Sequence, residues 1–362
     1  MIIEPLDAAN GDSAIVRHTG RAGDTVLGLI DGGPSSTLRR SIAPALEAHG
    51  IVPEANSSLD WLCVSHVDSD HIGGVLSLVR VGYTVGRFLY NTPSPFPDQD
   101  VTPATGTARA SQREAELTRL VSSAEENEVL PASYRQGQDL LDLLVVRGLH
   151  RLNPPRNQRL LTGDTLDVDG LTIQVVAPSA TRIEALLAEW SEAVDGASPA
   201  SAEKMDTSIT NLSSLSLLLV EGDRKALFTG DSLEDDILAG LRALGQQLPM
   251  HVDVLKVPHH GSNSAANPDA LEAGEGLLEN VMADFYIVSA DGTSTNPTPA
   301  TLERIVNGQD SGCVIVLPSA TQAGDGSHEY YAQTVADLVD LASAAPVPIE
   351  VRVGGPNVID LS

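Results

Sequence analysis

One short segment of the sequence concentrates side chains that can bind a metal ion. His66, Asp68, Asp70 and His71 lie within six residues, and two glycines follow directly. Imidazole nitrogens and carboxylate oxygens are common protein ligands of divalent ions. The alternative is a polar turn in which an aspartate caps a helix. That interpretation would suffice for a single aspartate or histidine, but it does not account for four such residues at alternating and adjacent positions. The segment therefore predicts a metal site.

The elements on either side of this segment would direct its side chains toward one place. Leu59 to Val64 is short, apolar and bounded by polar residues, which predicts a buried β-strand, whereas Ile72 to Val81 has the apolar spacing of a helix. The ligands are thus expected on a strand-to-helix loop at the carboxyl end of a strand, where open α/β sheets collect their ligands. A helix N-terminus behind the loop also favours anionic groups.

Two later segments repeat the pattern of a strand that ends in a ligand. Asp231 follows the strand pattern that ends at Phe228, and the strand pattern of Val252 to Val257 runs into the adjacent pair His259 and His260. A lone Gly-Asp pair also makes ordinary turns and helix caps. Adjacent histidines are rarely structural, because neighbouring side chains point apart and cannot both join one core. Three strand ends would therefore bring histidine and aspartate together.

The order of these motifs resembles the metallo-β-lactamase superfamily, whose signature is His-x-His-x-Asp-His. Asp68 stands at the second histidine of that signature, and His-x-Asp-x-Asp-His occurs in the nuclease-like branch related to the hydrolase domain of the competence protein ComEC. Leu255 to Ser262 resembles the Leu-Lys-Val-Pro-His-His-Gly-Ser segment of that branch. The Gly11-Asp12 turn and the strand that ends at Asp31 resemble its opening. The resemblance covers most of Met1 to Leu317.

The resemblance implies a fold and a set of roles. The fold would be a metallo-β-lactamase αββα sandwich, predicted here as a single domain over residues 1–362 with a helical insertion at about 92–146. Asp231 would bridge two ions, and His259 and Asp70 are the predicted catalytic residues. The predicted metal ligands are His66 and Asp68 for one ion, and Asp70, His71 and His260 for the other. Asn211 and Asn296 stand where superfamily members commonly carry histidine, which leaves tight binding of a second ion open.

The ligand types limit the choice of cofactor. Asp68 in place of histidine adds an oxygen donor, which moves the preference from zinc alone toward manganese or magnesium. We therefore expect one or two divalent ions, Mn²⁺ or Zn²⁺, with Mg²⁺ as a further candidate. A water deprotonated between two such cations is a nucleophile at neutral pH.

Composition limits the partners of the protein. The 362 residues carry a formal net charge of −27, which excludes general attraction to nucleic acid or to an anionic membrane. The one concentrated basic stretch, Arg147 to Arg159, supplies the predicted substrate-binding residues Arg151, Arg156 and Arg159, because arginine forks match phosphate geometry. A solvated turn around Pro154-Pro155 remains the alternative interpretation.

Other features concern cellular context. Two cysteines argue against a disulfide scaffold or a cysteine-rich zinc module. Neither a signal-peptide pattern nor a run of transmembrane length is visible, so a cytoplasmic protein is expected. Residues 195–208 are small, polar and unpatterned, which predicts a mobile loop or lid.

These observations predict a metal-dependent phosphodiesterase, with a nuclease as the specific form that the resemblance favours. A phosphodiester substrate is expected, and any nucleic acid would have to be held locally. Two other hypotheses remain: a hydrolase of a neutral ester, lactone or thioester, and a degenerate scaffold without catalysis that binds a protein partner. The sequence predicts no oligomeric state.

Overall fold

The computed structural model describes residues 1–53, 57–92, 132–149, 152–153, 158–194, 208–322 and 324–362. Within these residues, two large sheets dominate. The first runs in the spatial order β16-β1-β2-β3-β5-β7, with parallel pairing of β3 with β5 and of β5 with β7. Its strands are β1 (Ile2–Pro5), β2 (Ala14–Thr19), β3 (Thr25–Ile30), β5 (Trp61–Val64), β7 (Phe88–Tyr90) and β16 (Ile359–Asp360). The short strands β4 (Ser58–Leu59) and β6 (Thr84–Val85) pair beside it.

The second sheet runs in the order β15-β14-β13-β12-β11-β10-β9-β8. Its strands are β8 (Thr165–Val168), β9 (Leu171–Ala177), β10 (Ser216–Glu221), β11 (Arg224–Phe228), β12 (Met250–Lys256), β13 (Val281–Ile287), β14 (Cys313–Leu317) and β15 (Ile349–Val353). The five strands from β11 to β15 are mutually parallel, whereas β8 to β10 form an antiparallel extension. The carboxyl ends of β11, β12 and β13 therefore meet at one edge.

Helices cover the outer faces of both sheets. The described helices are α1 (Ala43–Ala48), α2 (Ser69–Arg80), α3 (Ala132–Arg147), α4 (Ala180–Val194), α5 (Ser208–Leu212), α6 (Glu234–Ala243), α7 (Pro268–Ala273), α8 (Leu277–Asn280), α9 (Pro299–Asn307) and α10 (Ser327–Ala344). In α2, buried residues such as Ile72, Val75 and Val79 recur at helical spacing and face the first sheet. None of the described helices combines the length and the apolar character needed to cross a membrane.

Three large apolar cores lie between the layers in the described part of the chain. Val16 and Trp61 of the first sheet pack against Ile173, Leu217 and Val254 of the second, so this core lies between the sheets. A second core joins the other face of the first sheet to α1, α2 and α3, and a third joins the second sheet to α6, α9 and α10. The predicted fold class, a four-layer αββα sandwich, is confirmed.

Local predictions are mostly confirmed, with two corrections near the motif segment. The predicted strand Leu59 to Val64 is broken at Asp60, whose carboxylate accepts a hydrogen bond from the backbone N–H of Leu27 at 2.7 Å. The helix begins at Ser69 instead of Ile72. Asp70 and His71 therefore lie in its first turn and not on a loop.

The structure describes only part of two predicted segments. Of the insertion predicted at about 92–146, it describes residue 92 and residues 132–146, where α3 packs into the core that it shares with α2. Residues 195–207 of the predicted mobile loop lie outside the described residues. Ser208 begins α5, so the predicted strand at Leu212 starts only at Ser216.

Candidate metal centre

The motif residues meet at the carboxyl ends of parallel strands. Asp31 follows β3, and the segment from His66 to His71 follows β5, its parallel neighbour in the first sheet. Asp231 and the pair His259-His260 follow β11 and β12, which are parallel neighbours in the second sheet. The two sheets face each other, so these strand ends converge on one site.

Three of the predicted ligands are spaced like the corners of a coordination polyhedron, and a fourth approaches one of them. His71 Nε2 lies 3.4 Å from His260 Nε2 and 3.4 Å from Asp231 Oδ1. His260 Nε2 lies 3.4 Å from Asp231 Oδ2 and 3.7 Å from Asp70 Oδ2. Metal–ligand bonds of about 2.0–2.1 Å in a tetrahedral site place neighbouring ligands about 3.4 Å apart. The spacing of His71, His260 and Asp231 therefore fits a metal ion between them, and Asp70 borders this group through its approach to His260.

The second ring nitrogen of each histidine points away from this centre toward an acceptor. His71 Nδ1 lies 2.9 Å from Asp31 Oδ2, and His260 Nδ1 lies 3.0 Å from the Ser289 carbonyl oxygen. Histidines that bind metals usually donate this N–H to a carboxylate or a carbonyl, which leaves Nε2 as the ligand atom. Both rings are thus oriented as metal ligands would be.

Asp31 is itself held in place by the strand that carries the motif. Its carboxylate accepts hydrogen bonds from the Ser65 backbone N–H at 2.7 Å and from the Ser65 hydroxyl at 2.6 Å. The side chain is buried. Asp31 can therefore fix the His71 ring with little freedom of movement.

A second group of predicted ligands also approaches Asp231. His66 Nε2 lies 3.7 Å from Asp68 Oδ2 and 4.0 Å from Asp231 Oδ2. The Ser65 hydroxyl lies 3.0 Å from His66 Nδ1. Asp231 is thus in contact range of both predicted ligand groups, which is the geometry that a shared carboxylate requires.

His259 and His260 both approach Asp231, whereas the sequence predicted that their side chains point apart. His259 Nε2 lies 3.8 Å from Asp231 Oδ2, the same oxygen that His260 approaches. Neighbouring side chains point apart only in extended chain, whereas His259 and His260 adopt φ angles of 47° and 56°. Such left-handed backbone is costly for residues other than glycine and is found preferentially at functional sites.

His259 differs from the ligand histidines in its exposure. Its side chain is 27% exposed, compared with 6% for His260. Asn211 Nδ2 lies 3.5 Å from His259 Nε2, and the Ser264 hydroxyl lies 3.4 Å from Nδ1. Burial lowers the pKa of His259. This ring can therefore reach a molecule bound in the adjoining cavity.

The charges within the centre compensate one another. Burial alone would raise the pKa of Asp231, but His260 and His71 hold it well below its usual range. Burial alone would lower the pKa of both imidazoles, but Asp231 raises that of His71 well above its usual value and raises that of His260 to about 10. A bound cation would take the place of the Nε2 proton of each ring, because histidine binds metals in its neutral form.

Asp12 belongs to the site, although it was not among the predicted ligands. Asp12, His71, Asp231 and His260 each offer a ligand atom, and these atoms all lie within 4.8 Å of one another. Asp12 also forms a buried ion pair with Lys256. The resemblance of its Gly-Asp turn to the ComEC-like opening was the signal that could have identified it. As an isolated pattern it predicted only a turn.

Two buried carboxylate oxygens that accept no described hydrogen bond support a cation site here. Asp231 Oδ1 and Asp12 Oδ1 are buried and accept no hydrogen bond from any described residue. Buried carboxylate oxygens normally have a partner. A donor set of imidazole nitrogens and carboxylates with such oxygens suits a divalent ion.

A cavity of about 260 Å³ opens beside the centre. Asp68, Asp70, Asp231, His259 and His260 line it together with Asn211 and Asn296. Asn211 and Asn296 therefore border the same cavity as these predicted site residues.

The predicted basic residues are not brought to this cavity by any described contact. Arg151 and Arg156 lie outside the described residues. Arg159 lines a second cavity of about 350 Å³ with Asn153 and Asp164, and it donates a hydrogen bond to the Thr92 carbonyl at 3.3 Å. Burial lowers the pKa of its guanidinium. The predicted role in substrate binding stays a prediction.

Comparison with known proteins gives distant structural similarity alone. No protein-family model and no curated protein sequence matches the chain. The metallo-β-lactamase fold protein YhfI from Bacillus subtilis is 11% identical, with a TM-score of 0.39 over 99% of this chain and 98% of that one. A metallo-β-lactamase HARLDQ motif mutant from Cronobacter sakazakii is 13% identical, with a TM-score of 0.32 over 69% and 76% of the two chains. The Rm3 metallo-β-lactamase is 17% identical, with a TM-score of 0.29 over 76% and 86%.

Proposed function

We propose that this chain is a metal-dependent hydrolase that cleaves phosphodiesters. The observation that carries the proposal is the mutual approach of His71 Nε2, His260 Nε2 and the Asp231 carboxylate at 3.4 Å, with Asp70 Oδ2 3.7 Å from His260 Nε2. The outward ring nitrogens of both histidines have acceptors, as metal-binding histidines require.

The proposed ligand sets follow from the contacts. Asp70, His71 and His260 would hold one ion, and His66 and Asp68 would hold a second. Asp231 is shared, since its carboxylate faces both groups. Ions bound there would supply a water of lowered pKa and would neutralise charge that develops on the attacked phosphorus centre. Three carboxylates in the two sets favour Mn²⁺ over Zn²⁺, with Mg²⁺ as a further candidate.

The protein's own groups would position the substrate and move protons. His259 lines the cavity and is 27% exposed, and its proposed role is to stabilise phosphate charge or to protonate the leaving oxygen. Asp70 is the most exposed carboxylate of its ligand set, and Asn10 donates a hydrogen bond to its Oδ2 at 3.2 Å. We assign Asp70 a catalytic role because it also lines the cavity.

The specific activity that we propose is that of a nuclease. We place the chain in the ComEC-like branch and expect it in the cytoplasm. It is supported by the order of the His-x-Asp-x-Asp-His, Thr-Gly-Asp and Pro-His-His-Gly-Ser motifs. The net charge of −27 requires that a nucleic acid be held locally, and Arg151, Arg156 and Arg159 are the candidates for that contact.

The test is hydrolysis by stripped and reconstituted protein. Purified protein is treated with a chelator, loaded with Mn²⁺ or Zn²⁺, and assayed on bis(p-nitrophenyl) phosphate and on plasmid DNA. We expect no activity without metal and more activity with Mn²⁺ than with Zn²⁺. Fully loaded protein that is inert on both substrates but cleaves a lactone or thioester would replace this proposal with the neutral-ester hydrolase. Protein that binds no metal and hydrolyses none of these substrate classes would favour the non-catalytic scaffold.

A further inference from the structure

Lys256 places a buried positive charge beside the proposed metal ligands. It is the last residue of β12, and its side chain is 4% exposed. The ammonium forms an ion pair with Asp12, donates a hydrogen bond to the Gly230 carbonyl at 3.0 Å and lies 3.7 Å from Asp231 Oδ1. Asp231 is the carboxylate that both proposed ions share. Lys256 is therefore buried beside Asp231 and is not among the residues that line the cavity.

Asp12 is positioned so that it could serve either Lys256 or a metal ion. Its backbone N–H donates to the Asp70 carbonyl at 3.2 Å, and its own carbonyl accepts from the Gly33 N–H at 2.7 Å. These bonds fix the carboxylate next to the centre. One oxygen is held by Lys256, and the other lies 3.6 Å from His260 Nδ1 without accepting a hydrogen bond from any described residue.

We propose that Lys256 competes with the metal ion for these carboxylates and thereby keeps metal binding weak enough for exchange. The inference rests on the metal site of the proposed function. Lys256 holds Asp12 on the Nδ1 side of His71 and His260, away from the proposed ion. Its charge near Asp231 also opposes a second cation a few ångströms away. Two like charges at such a distance repel appreciably even with partial screening. In the protein without metal, the same ammonium stabilises Asp12 and Asp231, which would otherwise repel each other.

Three variants separate this role from a structural one. Lys256→Met removes the ammonium and leaves Asp12 without its partner, so the ion gains a ligand and loses a repelling charge. Asp12→Asn leaves Lys256 uncompensated beside Asp231, so the ion is opposed more strongly. The double variant removes both charges, and the two effects cancel. Lys225→Met is the control, since it removes one lysine charge from the opposite end of the adjacent strand β11.

The measurement is the dissociation constant for Mn²⁺ and for Zn²⁺, obtained by competition with a chromogenic chelator, together with metal per chain by mass spectrometry. We expect Lys256→Met to bind at least about tenfold more tightly than the wild type, and Asp12→Asn at least about tenfold more weakly. The double variant should lie within about threefold of the wild type, as should Lys225→Met, because charges that are absent or distant contribute little.

The outcomes distinguish this inference from the proposed function. Equal or weaker binding by Lys256→Met would overturn the inference and leave the metal site standing. If Lys256→Met does not fold, the double variant decides: affinity like the wild type supports competition, whereas much weaker binding shows that Asp12 is a ligand in the wild type. Absence of metal binding in the wild type and in Lys256→Met would overturn the proposed function and the inference together.

Discussion

His71 Nε2 and His260 Nε2 lie 3.4 Å apart, although 189 positions separate the two residues in the chain. The first ring is anchored by Asp31 from the first sheet, and the second by the Ser289 carbonyl, which follows β13 in the second sheet. The site is therefore built across the interface of the two sheets. Neither sheet alone would hold the ion that we propose.

The adjacent histidines should differ in what they contribute. We expect His260→Ala to lower metal content and activity together, because its Nε2 is placed as a ligand. His259→Ala should keep the metal and lose turnover by ~10²–10⁴-fold, the usual contribution of a general acid. Metal per chain by mass spectrometry and the turnover number of each variant check this.

The reverse pattern is also informative. Metal loss in His259→Ala with normal content in His260→Ala would exchange the two roles, since both rings approach Asp231 Oδ2. Full activity in both variants would remove this segment from the active site.

Asp31→Asn tests the orientation of His71. Asp31 accepts the His71 Nδ1–H at 2.9 Å, and loss of such a partner typically weakens metal binding by about 10- to 100-fold. The matched control is Asp60→Asn, because Asp60 also accepts a backbone hydrogen bond at a strand of the first sheet but makes no described contact with the ligands. The dissociation constant for Mn²⁺ is the measurement, and an equal change in both variants would contradict the assignment.

The candidate site was largely predictable because its ligands are grouped by local sequence. His66 to His71, Asp231 and His259-His260 each follow a strand, and parallel strands bring their carboxyl ends to one edge. Asp12 and Lys256 were missed as a pair, because their ion pair joins opposite sheets and leaves no periodic signal. The approach of both His259 and His260 to Asp231 depends on left-handed backbone, which residue type alone does not predict.

The fold was predictable where turns and strands have local signatures. Asp169 and Gly170 adopt φ angles of 49° and 102°, as the predicted type I′ turn between β8 and β9 requires. The start of α2 at Ser69 was not predicted, because the polar residues of its first turn interrupt the apolar spacing. Nor was the pairing of β16 with β1, since it joins the two ends of the described chain and has no local signal.

The basic stretch should matter for a polymer and not for a small substrate. If Arg151, Arg156 and Arg159 contact a phosphate backbone, their change to Ala should raise the apparent KM for DNA and flatten its salt dependence. Hydrolysis of bis(p-nitrophenyl) phosphate should stay nearly unchanged. Salt-dependent kinetics on both substrates are the measurement. Equal effects on the two substrates, or no effect on either, would support the alternative that these arginines belong to a solvated turn.

Arg304 offers a matched comparison of buried and exposed ion pairs. Its guanidinium contacts Glu234 at 2.8 Å, whose side chain is 5% exposed, and Glu279 at 2.7 Å, whose side chain is 29% exposed. Glu234 also accepts the backbone N–H of Leu277 at 2.7 Å. We expect Glu234→Ala to lower the free energy of unfolding by about 3–5 kcal/mol. Glu279→Ala should lower it by about 0–1 kcal/mol. Urea unfolding of both variants checks the difference, and equal losses would contradict it.

The position of the metal itself is the most direct test. Crystals of the protein grown with Mn²⁺ would be measured for anomalous scattering near the manganese absorption edge. We predict a peak bounded by His71 Nε2, His260 Nε2, Asp231 and Asp70, with each of these atoms about 2.0–2.3 Å from the ion. A second peak on the His66 side of Asp231 would add the other proposed ion. Fully loaded crystals with no peak among these four side chains would contradict the account.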